Sequence, residues 1–243
     1  MTGNPANTTC NHDMENKMQW AKSIDALIRK RKTLKVLSPV GQPAEISKES
    51  ADTYQPLVLN SIKSAGWAPF HYDRAVDGLA EPWRAHVLWH QDCRTVAAQF
   101  GDWFDDVKPN NKLPLMLSAC GALVLVTWLP QFSFGAGGDN GVNDTSKDKQ
   151  IVVDEEHLAA TSAMVQNLLL LLTANEMGTY WSSGGQFRTA TMFEKLGISL
   201  SERLLAAVFV EFPSTREQDR ERLTGKHRDV RCPNSSWIRE IEL

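Results

Sequence analysis

Residues 154–185, DEEHLAATSAMVQNLLLLLTANEMGTYWSSGG, decide the fold class. Asp154, Glu155 and Glu156 stand at the front of the stretch, where the positive end of a helix dipole favours acids. Ala159, Ala160, Ala163, Met164, Val165 and the run Leu168–Leu172 then make it apolar nearly all round. That pattern marks a helix buried in the middle of a domain. Gly178 closes it, as glycine does at helix ends. A short strand is expected over Thr179–Trp181, and it empties into Ser182-Ser183-Gly184-Gly185.

Upstream, Ala122–Trp128 is a continuous apolar run rich in branched residues, which suits a strand covered on both faces. Arg84–Trp89 reads as another strand and Cys93–Phe104 as a helix. A helix begins at Ser50, with Leu57, Val58, Ile62 and Ala65 on one face, and Ala68-Pro69 ends it. The spacing of Trp20, Ile24, Leu27 and Ile28 predicts a helix from Met18 into the basic end Arg29–Lys32. Downstream, a helix is expected over Thr189–Leu196 and a strand over Leu204–Phe212. Helices and strands mix without a regular βαβ alternation, so the class is α+β: a central mixed or antiparallel sheet flanked by helices.

Residues 1–17 are polar and read as a mobile tail, leaving 18–243 as one domain. The glycine-rich stretch between 131 and 150 reads as a long loop of the kind that borders binding sites. After Pro213 the chain is charged, without a hydrophobic period until Trp237. It cannot form a core alone and is expected to wrap over the domain or over a partner subunit.

The net charge of −3 removes any global attraction to nucleic acid or to an anionic membrane surface, so anion binding needs a local cluster. The most apolar runs, Ala119–Leu129 and Leu168–Leu172, are shorter than the ~18 residues of a membrane span. Cys10, Cys93, Cys120 and Cys232 lie far apart and lack zinc spacing, so they read as free thiols in a reducing compartment. With neither a secretory h-region nor an Arg-rich leader in the first residues, the expected location is the cytoplasm.

Four places could carry chemistry. Arg31-Lys32-Thr33-Leu34-Lys35 offers three cations and a hydroxyl that could cradle a phosphate; the same residues also read as a solvated helix end. Lys226-His227-Arg228 is a second basic group, otherwise an ordinary charged tail. Trp181-Ser182-Ser183-Gly184 follows a buried strand and could let backbone N–H groups approach a flat ligand, or could simply be a turn. His71, just after Ala68-Pro69-Phe70, could orient a ligand or be structural. Neither a G-x-S-x-G, a Walker A nor an H-E-x-x-H motif occurs.

Taken in order, these pieces resemble the nitroreductase superfamily of FMN-dependent oxidoreductases. The resemblance runs through Arg31–Lys35 at the end of a helix, Ala68-Pro69, Glu81-Pro82-Trp83, Ala163–Leu170 with its Gln166-Asn167 pair, Gly178–Gly184, and Lys226-His227-Arg228. It implies that Arg31, Lys32, Thr33, Lys35, Lys226 and Arg228 hold the FMN phosphate and ribityl oxygens. Trp181, Ser182, Ser183 and Gly184 would lie beside the isoalloxazine, with Trp67 and His71 near it. It also implies a homodimer with FMN at the subunit interface. No side chain is implied as a catalytic nucleophile, and no metal.

The activity so implied is electron transfer from NAD(P)H through FMN to a small organic acceptor (a nitroaromatic, quinone or enone) by a ping-pong scheme. Reductive dehalogenation, oxygen-linked dehydrogenation and non-catalytic flavin binding are the rival readings. One departure bears on substrate choice: Glu81 stands where the family has Gln, and this acid would oppose an anionic reduced cofactor unless Arg74 or Arg84 pairs with it.

Overall fold

The computed structural model describes residues 6–104, 111–131, 145–227, 230 and 237–241, with side chains from Lys17 in the first helix and from Lys149 in the long one. The elements are α1 (Ala6–Lys30), β1 (Leu34–Leu37), α2 (Lys48–Ala65), β2 (Trp83–Trp89), α3 (His90–Trp103) and α4 (Leu113–Ala119). They continue as β3 (Ala122–Trp128), α5 (Thr145–Ala174), β4 (Gly178–Ser182), α6 (Ala190–Leu196), β5 (Arg203–Glu211) and β6 (Glu221–Thr224).

Four strands form an antiparallel sheet in the order β2-β3-β5-β4. Every residue of β3 is buried, as the unbroken run of branched residues predicts. Leu123 and Leu125 point to one side, where α3, α4 and α6 contribute Phe100, Leu117 and Phe193. Val124 and Val126 point to the other, where α2 and α5 contribute Val58, Met164, Leu168 and Leu172. The sheet is therefore the middle layer of three. Ala206 and Ala207 on β5 face opposite layers, as consecutive strand residues do, and a bulge between Val126 and Thr127 leaves Leu205 outside the pairing of β3 with β5.

The central helix α5 starts earlier than the sequence predicts, at Thr145 rather than near Asp154. Its stretch Lys149–Ala174 is long and apolar enough, by composition, to cross a membrane, although the two apolar runs read from the sequence are each too short. Here its apolar side lies in the core, with Met164, Val165, Leu168, Leu169 and Leu172 covered by the sheet and α2. Its outer side leaves Ile151, Val152 and Leu158 exposed.

Three features differ from the sequence reading. Helix α1 begins at Ala6, where a mobile tail was expected, because the polar sequence of 6–17 carries no apolar period to announce a helix. Helix α4 and strands β1 and β6 are too short to establish a period. Above all, the charged stretch after Pro213 is not only a tail: β6 pairs antiparallel with β1, Leu34 opposite Thr224 and Leu37 opposite Glu221.

Close packing sets one sharp constraint. A Cβ on Gly121 would lie 2.5 Å from the ring of Phe212, which is fully buried and has no room to retreat. Gly121→Ala should lower stability by about 1–3 kcal/mol, the usual cost of overpacking. Chemical denaturation reads this as a lower midpoint with an unchanged slope.

Candidate functional site

The site grows from the end of α1. The amide of Arg31 closes the helix on the Leu27 carbonyl at 3.0 Å, and the chain then extends. Thr33 forms a parallel bridge with Thr179, so β1 runs alongside β4. Lys35 reaches over the ring of Tyr180, 4.5 Å from its centroid. Tyr180 and Ser182 are two apart on β4 and share one face of it.

The second basic group arrives through β6. Beyond the Leu34–Thr224 pair, the Gly225 amide donates to the Thr33 carbonyl at 3.3 Å. Gly225 sits against the Thr33 side chain, and Lys226 follows directly, exposed. Residues almost two hundred positions apart thus meet beside Thr33. Lys35 and Lys226 have no carboxylate partner among the described residues. Arg228 lies outside the described residues.

Lys32 goes elsewhere. Alternation along an extended chain turns it away from Thr33, and it borders a cleft of about 640 Å³ with Lys30, Leu34, Glu176 and Arg216. Glu176 there pairs with Lys30 and lies 3.9 Å from Arg216.

Beyond β4 the chain turns sharply. The Gly184 amide donates to Ser182 Oγ at 3.2 Å, and the Arg188 guanidinium donates to the Ser183 carbonyl. Gly184 has φ = 106°, and a Cβ there would lie 2.4 Å from Leu204 Cδ2, so only glycine fits. Ser182 is buried, Trp181 half-buried, and Ser183 exposed at the lip of the turn. The result is a fixed backbone edge at the C-terminal end of β4. The same strand carries Tyr180, beneath Lys35.

Trp67 and His71 are not among these residues. Trp67 is 90% exposed at the end of α2, over a groove of about 560 Å³ walled by Phe70, Leu79, Trp83 and Met164. His71 is exposed on the loop that follows. Glu81 also lines this groove, and neither nearby arginine neutralises it. Arg74 donates to the carbonyls of Leu129 and Pro130, and Arg84 to those of Glu81, Trp83 and Val76.

Sequence reasoning missed Tyr180, Arg188 and the anchor of β6. Tyr180 was within reach, since its two-residue spacing from Ser182 puts both on one face. The anchor was not: Arg222 donates to Glu211 Oε1 at 2.8 and 3.0 Å and also to the Thr215 and Gln218 carbonyls. Glu211 is 3% exposed at the end of β5.

The chain has the nitroreductase-like fold. A nitroreductase-like family protein from Bacillus cereus is similar with a TM-score of 0.60 and 18% identity, over 90% of this chain and 96% of that one. A nitroreductase family protein from Streptococcus pneumoniae is similar with a TM-score of 0.54 and 14% identity, over 90% and 100%. Such identities speak to the fold alone. No protein-family model and no curated protein matches the sequence.

Removing the guanidinium in Arg222→Ala would strand the buried Glu211 carboxylate. The expected loss is about 3–5 kcal/mol, as for other broken buried pairs. Thermal or denaturant unfolding measures it, and a loss under about 1 kcal/mol, in the range of a surface pair, would contradict the anchoring role.

Proposed function

We propose that this protein is an FMN-dependent oxidoreductase that passes electrons from NAD(P)H to a small organic acceptor. The observation that carries the reading is the pairing of β6 with β1, which brings the Gly225 backbone, one residue before Lys226, to Thr33, two residues before Lys35, beside β4 with its fixed turn Ser182–Gly184. A phosphomonoester carries about −1.5 to −2 charge near neutral pH. Two ammonium groups without carboxylate partners suit it, and the Thr33 hydroxyl adds a donor between them. FMN would supply the redox chemistry, taking electrons from the nicotinamide and giving them to the acceptor in a ping-pong alternation.

The chain's own residues supply binding and order. Lys35 and Lys226 hold the phosphate end, with Arg31 and Arg228 as further cations on the same segments. Lys32, turned into its own cleft, contributes only through the field of its charge. Held by Ser182 Oγ and Arg188, the turn keeps its backbone from relaxing when a planar ring lies against it, which is preorganisation in the ordinary sense. No protein nucleophile is needed.

Trp67 and His71 enter the same pocket only if a second protomer brings them, so the reading includes a homodimer. The exposed apolar residues favour one. Trp20, Ile24 and Ile28 form a stripe on α1, and Ile151, Val152 and Leu158 another on α5, against which α1 lies. Apolar surface gathered in this way marks an interaction face. Such an enzyme would work in a reducing cytoplasm, where the buried free thiols of Cys93 and Cys120 stay reduced.

Purified protein should be yellow, and anaerobic NADH or NADPH should bleach it. Lys35→Glu with Lys226→Glu should weaken FMN binding by more than about a hundredfold, roughly tenfold for each lost charge-assisted contact. A colourless protein that takes up no added FMN sinks the proposal. Steady-state assays with nitroaromatic, quinone, halogenated phenol and oxygen acceptors then separate the possible reactions.

The dimer has its own test. Sedimentation should give a dimer for the wild type and a monomer for Trp20→Glu with Ile24→Glu, whose sites are exposed in one chain. A wild-type monomer with FMN bound would remove the shared pocket and keep the cofactor.

A further inference from the structure

His157 is an anomaly in the core. It lies on α5, is 1% exposed, and among the described residues neither ring nitrogen has a hydrogen-bond partner. Buried polar atoms in native proteins are nearly always paired, so an orphaned imidazole asks for a reason. Two strands of loop cross over it: the Phe70–Arg74 segment after α2 and the Leu129–Gln131 segment after β3. The backbone of Tyr72 and of Leu129 faces the ring closely enough to favour a charged imidazole, without completing a hydrogen bond.

The two loops are fastened around this ring by charged groups. Arg74 donates from Nε to the Leu129 carbonyl at 3.1 Å and from Nη2 to the Pro130 carbonyl at 2.9 Å. Asp154, one turn before His157 on α5 and 2% exposed, accepts from the Gln131 amide at 2.7 Å. On α5, Asp154 is the charged group that faces the ring; on the first loop it is Arg74, while His71, Tyr72 and Asp73 are exposed. Leu129, Pro130 and Gln131 bring no titratable side chain.

We propose that His157, Asp154 and Arg74 form a pH-sensitive clasp that holds the Phe70–Arg74 and Leu129–Gln131 segments on α5 at neutral pH and loosens them in mild acid. The proposal rests on the packing of these groups and does not depend on the flavin reading. A proton on the buried ring adds a second cation beside Arg74 and places charge where water is excluded. Burial is the largest influence and lowers the affinity of His157 for protons; Asp154 and the facing backbone oppose it, and Arg74 adds to it.

The direction follows from linkage. A histidine whose folded-state pKa is depressed binds fewer protons when folded, so its penalty is absent above its ordinary value of about 6.5 and grows below it. The opened segment takes up the proton and is favoured as the pH falls. Because Phe70–Arg74 carries His71, the clasp would set the order of that loop.

Hydrogen exchange on the full chain tests it. Between about pH 7.5 and 5.5, after correction for intrinsic rates, amides of Tyr72–Arg74 and Leu129–Gln131 should gain several-fold in exchange. His157→Gln and His157→Phe should remove that gain while core amides of β3 stay protected. Equal gains in wild type and both variants, or none in wild type, overturn the proposal. Should neither variant fold, the imidazole resonances of wild-type His157 decide it: titration below the ordinary histidine range supports the clasp, and titration at or above that range refutes it.

Discussion

The Arg222–Glu211 pair is the fastening on which the candidate site depends. Strand β6 has four residues and pairs only with another four-residue strand. Two such strands do not hold together unaided in water. Arg222 ties β6 to the end of β5 through a carboxylate that is almost wholly buried, and its remaining donors satisfy loop carbonyls nearby. With β6 fixed there, Gly225 meets Thr33 and Lys226 lands beside Lys35's strand. The geometry of two basic groups is thus set by one ion pair that belongs to neither.

Arginine serves the same end elsewhere. Arg74, Arg84 and Arg94 all spend their guanidinium donors on backbone carbonyls, Arg94 on those of His90, Cys120 and Ala44. A planar fork with five donors can close several loop carbonyls at once, and Lys cannot. The carbonyls they reach belong to different segments of the chain, so these side chains act as staples. Glu81 lines the same groove as Arg84, but the Arg84 guanidinium donates to the carbonyls of Glu81, Trp83 and Val76 rather than to the Glu81 carboxylate. Acidic and basic side chains that compete for attention in the sequence are thereby sorted into staples and free charges.

The sheet divides the molecule into two regions that a single chain does not unite. The Thr33–Lys35–Ser182 group lies at the β4 edge, whereas Trp67 and His71 lie at the end of α2 over a different groove. Trp20, Ile24 and Ile28 on α1 and Ile151, Val152 and Leu158 on α5 remain exposed, and covering them would be favourable. Helix α5 accordingly has two burial tasks. Its inner side makes the core of one chain, and its outer side is left for something else.

By itself, the sequence determined the layers. The run Ala122–Trp128 suited a doubly covered strand and Ala159–Leu172 a central buried helix, and both formed, because period and apolarity are local properties of a segment. The order of the motifs also carried the resemblance to a nitroreductase, and the fold agrees with it. Tertiary structure decided what no window of sequence contains: that Glu221–Thr224 is a strand, that Lys32 turns from Thr33, and that Trp67 stands apart. Short polar strands have no period to read, and their partner, Leu34–Leu37, is almost two hundred residues away. Strand alternation then assigns side chains to faces only after the pairing is known. Burial likewise made an orphan of His157, which in the sequence is one polar residue directly after the acidic turn Asp154–Glu156.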